Sequence, residues 1–196
     1  MNLPNKLTVA RFALTAAFLA AMFTEFPFNT TVALALFSLA SLTDYFDGKL
    51  ARKYNLITNF GILMDPLADK ILVCSAFIAF VGLRWMPAWM VVIIVARELA
   101  ITGLRLLAAS KHVVLAAERF GKHKTISQIV AIIAILVYNS YSNWGVVGEY
   151  VFGLPIIHGP WILWFEPLSI WVAVIMTFWS GAMYLWRNRQ IYLQDM

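Results

Sequence analysis

The chain has 196 residues, of which 62% are hydrophobic and only 13% charged, about half the charged share of an ordinary soluble domain. With a mean hydropathy of +0.77 it carries more apolar side chain than a soluble globule of this length has interior to hide, and it is too apolar for a disordered chain. An integral membrane protein remains. The formal charge of +5, from 15 basic and 10 acidic residues, is then read as basic loops facing anionic lipid rather than as a nucleic-acid footprint.

A helix needs about 17–25 residues to cross a ~30 Å hydrocarbon core. Six runs qualify: Leu7–Phe23, Thr30–Leu50, Asn59–Leu83, Pro87–Ala109, Thr125–Tyr141 and Leu168–Trp186. Pro87 and Pro167 fall at first turns, where a helix tolerates proline. Met1 to Lys6 is short and polar, and the apolar run after it lacks a small-residue cleavage site, so it reads as a retained first span. Trp144–Phe165 is apolar but broken by Gly145, Gly148, Glu149, Gly153, Pro155, Gly159 and Pro160. It reads as an outer loop at the interface, anchored by Trp144, Trp161 and Trp164. The expectation is an all-α membrane protein of six transmembrane helices, forming a single domain over residues 1–196.

Lys6 and Arg11 lie at the N-terminus, Lys49, Arg52 and Lys53 after the second span, Lys111, Arg119, Lys122 and Lys124 after the fourth, and Arg187 and Arg189 after the sixth. The other side carries Arg84 with Glu25, Glu149 and Glu166. The positive-inside rule places both termini in the cytoplasm of a multi-pass protein. Cys74 is the one cysteine, so it forms no intrachain disulfide and reads as packing. His112, His123 and His158 are too scattered in sequence for a zinc site.

The chemistry-bearing residues are four aspartates. Asp44 and Asp47 end the second span, and Asp65 and Asp69 begin the third. A carboxylate in a span costs about 2.5–3.5 kcal/mol at its centre, less near an interface, so four of them need a compensating partner. At about 100° per residue, Asp44, Asp47, Gly48 and Ala51 share one arc, and Gly61, Asp65, Ala68 and Asp69 share another. The second span runs toward the cytoplasm and the third returns, so both acid pairs lie near the cytoplasmic side and can face each other. Hard oxygen ligands suit Mg²⁺ or Mn²⁺, and two divalent ions would balance four negative charges. The glycines and alanines add no bulk on these faces. The same spacing also fits a cation or proton transporter, or ion pairs with Lys70, Arg97 and Arg105.

Asp44-Tyr45-Phe46-Asp47-Gly48-Lys49-Leu50-Ala51-Arg52, then eight residues, then Gly61, Asp65 and Asp69 at four-residue steps, resembles the signature D-x-x-D-G-x-x-A-R-x8-G-x-x-x-D-x-x-x-D of the CDP-alcohol phosphotransferases. All eight fixed positions match. The resemblance implies a membrane enzyme, usually a homodimer, in which Asp44, Asp47 and Asp65 ligate the metals. Asp69 would ligate the second ion and act as the general base, and Gly48, Ala51, Arg52 and Thr58 would lie at the CDP moiety. Such a site can neutralise a pyrophosphate and stabilise in-line transfer of its lipid-bearing phosphoryl group, with CMP leaving. Arg52 offers a fork suited to phosphate oxygens.

Softer likenesses concern the acceptor. Asn2 to Thr8 with Arg11, Arg97-Glu98 followed by Thr102-Gly103-Leu104-Arg105, and Gly121-Lys122-His123-Lys124-Thr125 resemble bacterial phosphatidylglycerophosphate synthases. That implies transfer from CDP-diacylglycerol to sn-glycerol 3-phosphate, a step of phospholipid biosynthesis in the cell membrane. The charges argue separately for an anionic acceptor. Arg105 and Arg97 stand about 6 Å and 18 Å above the cytoplasmic end of the fourth span, on one face. Arg119, Lys122 and Lys124 follow, and Lys124 with Thr125 could hold a phosphate at the N-terminus of the fifth span. Arg119, Lys122 and Lys124 equally suit topology and lipid headgroups, and Arg97 equally suits a pair with Glu98 or Asp69. Asn5 and Thr8 fit either the nucleotide or capping. Cardiolipin, phosphatidylserine or phosphatidylinositol-phosphate synthesis would use the same chemistry with another acceptor.

Overall fold

A helix in lipid satisfies its own backbone hydrogen bonds, and this chain uses helices almost throughout. A computed structural model describes residues 3–54, 59–111, 113, 119–156 and 159–193; among them, residues 3, 4, 44–54, 59–63, 65, 66, 119, 120, 122 and 156 are described by backbone alone. The elements are α1 (Leu3–Phe23), α2 (Asn29–Tyr54), α3 (Asn59–Gly82), α4 (Ala88–Ser110), α5 (Arg119–Tyr138), a 3₁₀ turn (Tyr141–Trp144), α6 (Gly145–Phe152), β1 (Pro155–Ile156), β2 (Gly159–Pro160), α7 (Ile162–Arg187) and α8 (Arg189–Leu193). β1 and β2 pair antiparallel as a two-residue hairpin, Pro155 opposite Pro160.

Helices α1 to α5 and α7 have 20 to 26 residues each, or about 30–39 Å at 1.5 Å per residue. Among the described residues, Asn5–Phe23 and Ile162–Arg187 are each long and apolar enough to cross a bilayer. His123–Tyr138 with Tyr141–Phe152 makes a third if that pair, bent by 59°, is one span. The chain is thus an all-α membrane protein.

Local chemistry sets the helix ends. After α3 the chain turns at Arg84, whose φ is 60°. Trp85 N–H donates to Phe80 O at 2.8 Å and Arg84 N–H to Val81 O at 3.0 Å, a Schellman-type closure. Its apolar contact is Trp85 stacked on Phe80, centroids 5.7 Å apart. Pro87 then sits just before α4 as its N-cap. Between α1 and α2, Asn29 Nδ2 donates to Thr24 O at 3.1 Å, while Asn29 Oδ1 accepts Thr30 N–H at 2.8 Å.

The interior is built from Phe18, Phe37, Phe77, Phe80, Leu72, Ile94, Ile132 and Ile135, all buried, with Ala33, Ala40, Ala76, Ala131 and Ala173 between them. Lipid tails are as apolar as leucine, so close packing at small residues is what holds such helices together. Phe18 of α1 meets Phe37 of α2 at 5.8 Å. α1 packs chiefly along α2, and α5 along α7.

Three expectations need correction. The fifth helix begins at Arg119 rather than Thr125: the apolar run starts at Thr125, but the helix extends back through the basic residues before it, and the interior Gly121 costs only about 1 kcal/mol. The last long helix begins at Ile162, not Leu168, and carries Pro167 inside it. Trp144–Phe165 is more than a loop, since it holds α6, the hairpin and the start of α7. Aromatic packing orders it: Trp144 meets Phe152 at 5.5 Å, Phe152 meets Trp161 at 5.7 Å, and Trp161 meets Phe165 at 5.5 Å. Trp161 Nε1 donates to Val151 O at 2.8 Å and Trp144 Nε1 to Thr31 Oγ1 at 2.9 Å.

Candidate active site

Two uninterrupted helices carry the aspartates. Asp44, Asp47, Gly48, Ala51 and Arg52 lie on α2, and Gly61, Asp65 and Asp69 on α3; the two helices pack against each other. The side chains of Asp44, Asp47, Ala51, Arg52 and Asp65 lie outside the described ones, as does Thr58 entirely. On α3, Ala68, Leu72, Ala76 and Phe80 form a buried stripe. Asp65, one turn before Ala68, occupies the same face by register. Asp69 is half-buried. Among the described residues no three His, Cys, Asp or Glu side chains converge.

Beside Asp69 stands a layer of charge inside the bundle. Lys124 of α5 donates to the Glu98 carboxylate of α4, and the two side chains are 6% and 7% exposed. Arg97 Nη1 reaches Glu98 Oε1 at 3.4 Å. Lys70 of α3 donates to Thr102 Oγ1 of α4, and that hydroxyl donates to Glu98 O at 2.7 Å. Lys70 and Lys124 both act electrostatically on Asp69 and Glu98. About one turn further along α5, Gln128 Nε2 donates to Thr177 Oγ1 of α7 at 3.0 Å. Two cations therefore contact one buried carboxylate and a third, Lys70, joins the layer through Thr102, with Asp69 in their field.

The remaining basic candidates are spread more widely. Arg97 Nε is buried with no hydrogen-bond partner, and its stem lies along an apolar groove of about 380 Å³ between α4 and α7. A Cβ at Gly181 of α7 would stand 2.6 Å from Arg97 Cγ, so the absent side chain at Gly181 is what admits the arginine. Arg105 is exposed; its Nε donates to Tyr184 Oη at 3.4 Å, and its guanidinium carbon lies 5.7 Å from that ring's centroid. Arg119 and Lys122 lie on the first two turns of α5, with side chains outside the described ones. Lys124 and Thr125 are in the second turn of α5 rather than at its N-terminus, because the helix starts earlier. Thr125 Oγ1 donates within the helix, to Gly121 O at 3.2 Å. Lys111 Nζ donates to Ile191 O of α8 at 2.8 Å. Thr8 and Arg11 of α1 are fully buried. His112 and His158 lie outside the described residues, and His123 is exposed.

Sequence reasoning placed Glu98 and Thr102 in a motif and named Glu98 as one possible partner of Arg97, a pairing the structure contains, but it did not see Glu98 as the hub of this layer, and it did not single out Gly181 or Tyr184. The available signal was cost: an acid in a span is expensive enough to expect a dedicated partner.

The model of the CDP-alcohol phosphatidyltransferase family matches residues 1–179. The chain is 42% identical over 201 residues to the CDP-diacylglycerol–glycerol-3-phosphate 3-phosphatidyltransferase of Bacillus subtilis (strain 168), covering 95% of each protein. It is 33% identical over 186 residues to the protein of the same name from Rickettsia bellii, covering 93% of each. Over 134 residues it is 44% identical to a probable phosphatidylglycerophosphate synthase of Mycobacterium tuberculosis, covering 67% of this chain and 64% of that one. A match across most of its length, joined to the aspartate-bearing pair of helices, places this chain in the CDP-alcohol phosphatidyltransferase family.

Proposed function

We propose that this protein transfers the phosphatidyl group of CDP-diacylglycerol to sn-glycerol 3-phosphate, giving phosphatidylglycerophosphate and CMP. The observation that carries the reading is end-to-end similarity to relatives named for that reaction. The layer of Lys70, Arg97 and Lys124 around Glu98 supports an anionic acceptor, because it leaves excess positive charge next to Asp69. An excess cation in a low-dielectric interior is costly until an anion joins it.

The donor set fits a divalent metal, since all four side chains are carboxylates at one end of two packed helices. The family generally depends on such a metal. In this reading Asp44, Asp47, Asp65 and Asp69 hold two ions, Mg²⁺ or Mn²⁺. When bound, these ions neutralise the pyrophosphate and the charge growing on the departing CMP. Gly48 and Ala51 leave room for the CDP group, and Arg52 and Thr58 hydrogen-bond it. Arg105, Arg97, Arg119, Lys122 and Lys124 hold the acceptor phosphate. Lys124 gives Glu98 one of its three N–H donors and points the rest toward the acceptor. The acceptor hydroxyl attacks the phosphorus that bears the diacylglycerol, Asp69 takes its proton, and the bond to the CMP oxygen breaks.

The architecture that accompanies this chemistry is six spans, α1 to α5 and α7, with both termini and the aspartates at the cytoplasmic face of the inner membrane and two copies per enzyme. The distribution of Lys and Arg supports the orientation. Purified protein in mixed micelles with CDP-diacylglycerol tests the reading by CMP release across a panel of acceptors. Release is expected only with glycerol 3-phosphate and a divalent cation together, and removal of the cation by EDTA stops it. Turnover with inositol phosphate, serine or phosphatidylglycerol in place of glycerol 3-phosphate overturns the acceptor, and metal-driven flux in liposomes without CMP release overturns the chemistry.

A further inference from the structure

A buried carboxylate is an odd component of a pocket meant for a phosphate, since like charges repel. Yet Glu98 is 6% exposed and stands at the centre of the basic layer, accepting from Lys124 and Arg97. Its own backbone carbonyl accepts from Thr102, which receives Lys70. Among the described residues α4 packs mainly along α7 and α3, and α5 along α7 and α2, so the Lys124–Glu98 pair joins two helices that are not each other's main neighbours. Without Glu98, Lys124 and Arg97 would face each other as unpaired cations in a dry interior, where such charges are held only by a partner. With it, both are paired and held in register, and the layer keeps a surplus of positive charge. Arg97 Nε, buried and without a hydrogen-bond partner, still has a donor to give.

We propose that Glu98 is the positioning residue of the acceptor subsite, holding Lys124 and Arg97 paired and oriented so that their remaining N–H donors grip the acceptor's anionic group. The proposal rests on the phosphatidyl-transfer reading above. Glu98 itself does not touch the reacting atoms; it acts through the two cations.

The test uses the full-length protein in mixed micelles, with the two substrates varied separately. Glu98→Gln is expected to raise the KM for glycerol 3-phosphate about tenfold or more while the KM for CDP-diacylglycerol stays within about twofold. Glu98→Asp recovers part of the loss. The paired change Glu98→Gln with Lys124→Met removes both charges at once, so thermal stability returns toward that of the unmodified protein, but the acceptor KM stays high. If the paired change restores the acceptor KM along with stability, or if Glu98→Gln shifts both KM values equally, the pair is merely structural and the proposal is overturned. Should Glu98→Gln fail to fold, Glu98→Asp and the paired variant carry the same readout. The unmodified protein reports separately on the acceptor: if it turns over a different alcohol, the glycerol 3-phosphate reading falls, and the variants measured with that alcohol still decide the role of Glu98.

Discussion

Lys70 gives its ammonium to the hydroxyl of Thr102, tying α3 to α4 one residue beyond Asp69. The carboxylate proposed as the base and the cations proposed for the acceptor are thereby held in one layer. Thr102→Val keeps the shape and removes the hydroxyl, leaving Lys70 without this acceptor. A hydrogen bond to a charged group is worth about 1.5–3 kcal/mol, so kcat/KM for the acceptor is expected to fall roughly tenfold to a hundredfold. Steady-state CMP release measures it, and an unchanged value would detach Lys70 from the reaction.

Asp69→Asn removes the proton acceptor while keeping nearly the same volume. General-base contributions run to about 10²–10⁴-fold, so turnover should drop at least that far, and direct binding assays should still find CDP-diacylglycerol bound in part. Strong residual turnover would take Asp69 out of the mechanism.

Arg105 is held by Tyr184 alone among the contacts described for it, through a 3.4 Å hydrogen bond and the ring face. Arg105→Ala is expected to raise the acceptor KM about tenfold or more, with little change for CDP-diacylglycerol. Tyr184→Phe keeps the ring and should produce a smaller shift in the same direction. Equal effects of Arg105→Ala on both substrates would identify a structural arginine.

Gly181→Leu fills the space the Arg97 stem occupies. With a Cβ already 2.6 Å from Arg97 Cγ, the arginine or the helix must shift, and overpacking of this kind costs about 1–3 kcal/mol. A lowered Tm in detergent together with a raised acceptor KM is the expected pair of results. A normal Tm would show that the α4–α7 contact yields freely.

The long helices were legible because an uninterrupted apolar run has few other fates in lipid. The spacing of Asp44, Asp47, Asp65 and Asp69 was legible for a related reason: helical geometry turns intervals of three and four residues into a shared face. Elsewhere local signals competed with contacts made far along the chain. Gly121 and its basic neighbours look like a loop until α5 is seen to run through them. Glycines and prolines mask an ordered Trp144–Phe165, because the ring contacts of Trp144, Phe152 and Trp161 join residues from separate turns. Glu98 was hidden most deeply. Its partner Lys124 is 26 positions away, and which turn of α5 faces which turn of α4 depends on how the helices pack.

Gly181 also limits how the bundle can move. Arg97 sits where Gly181 leaves α7 without a side chain, and the next residues on that face are one turn away, at Thr177 and Leu185. Sliding α7 by one turn, about 5.4 Å, would bring the side chain of Thr177 or Leu185 to the place Gly181 holds beside the arginine, like a key dragged across its keyway. A piston shift of that size along this helix pair meets the arginine stem, whereas a tilt of α7 keeps Gly181 opposite it.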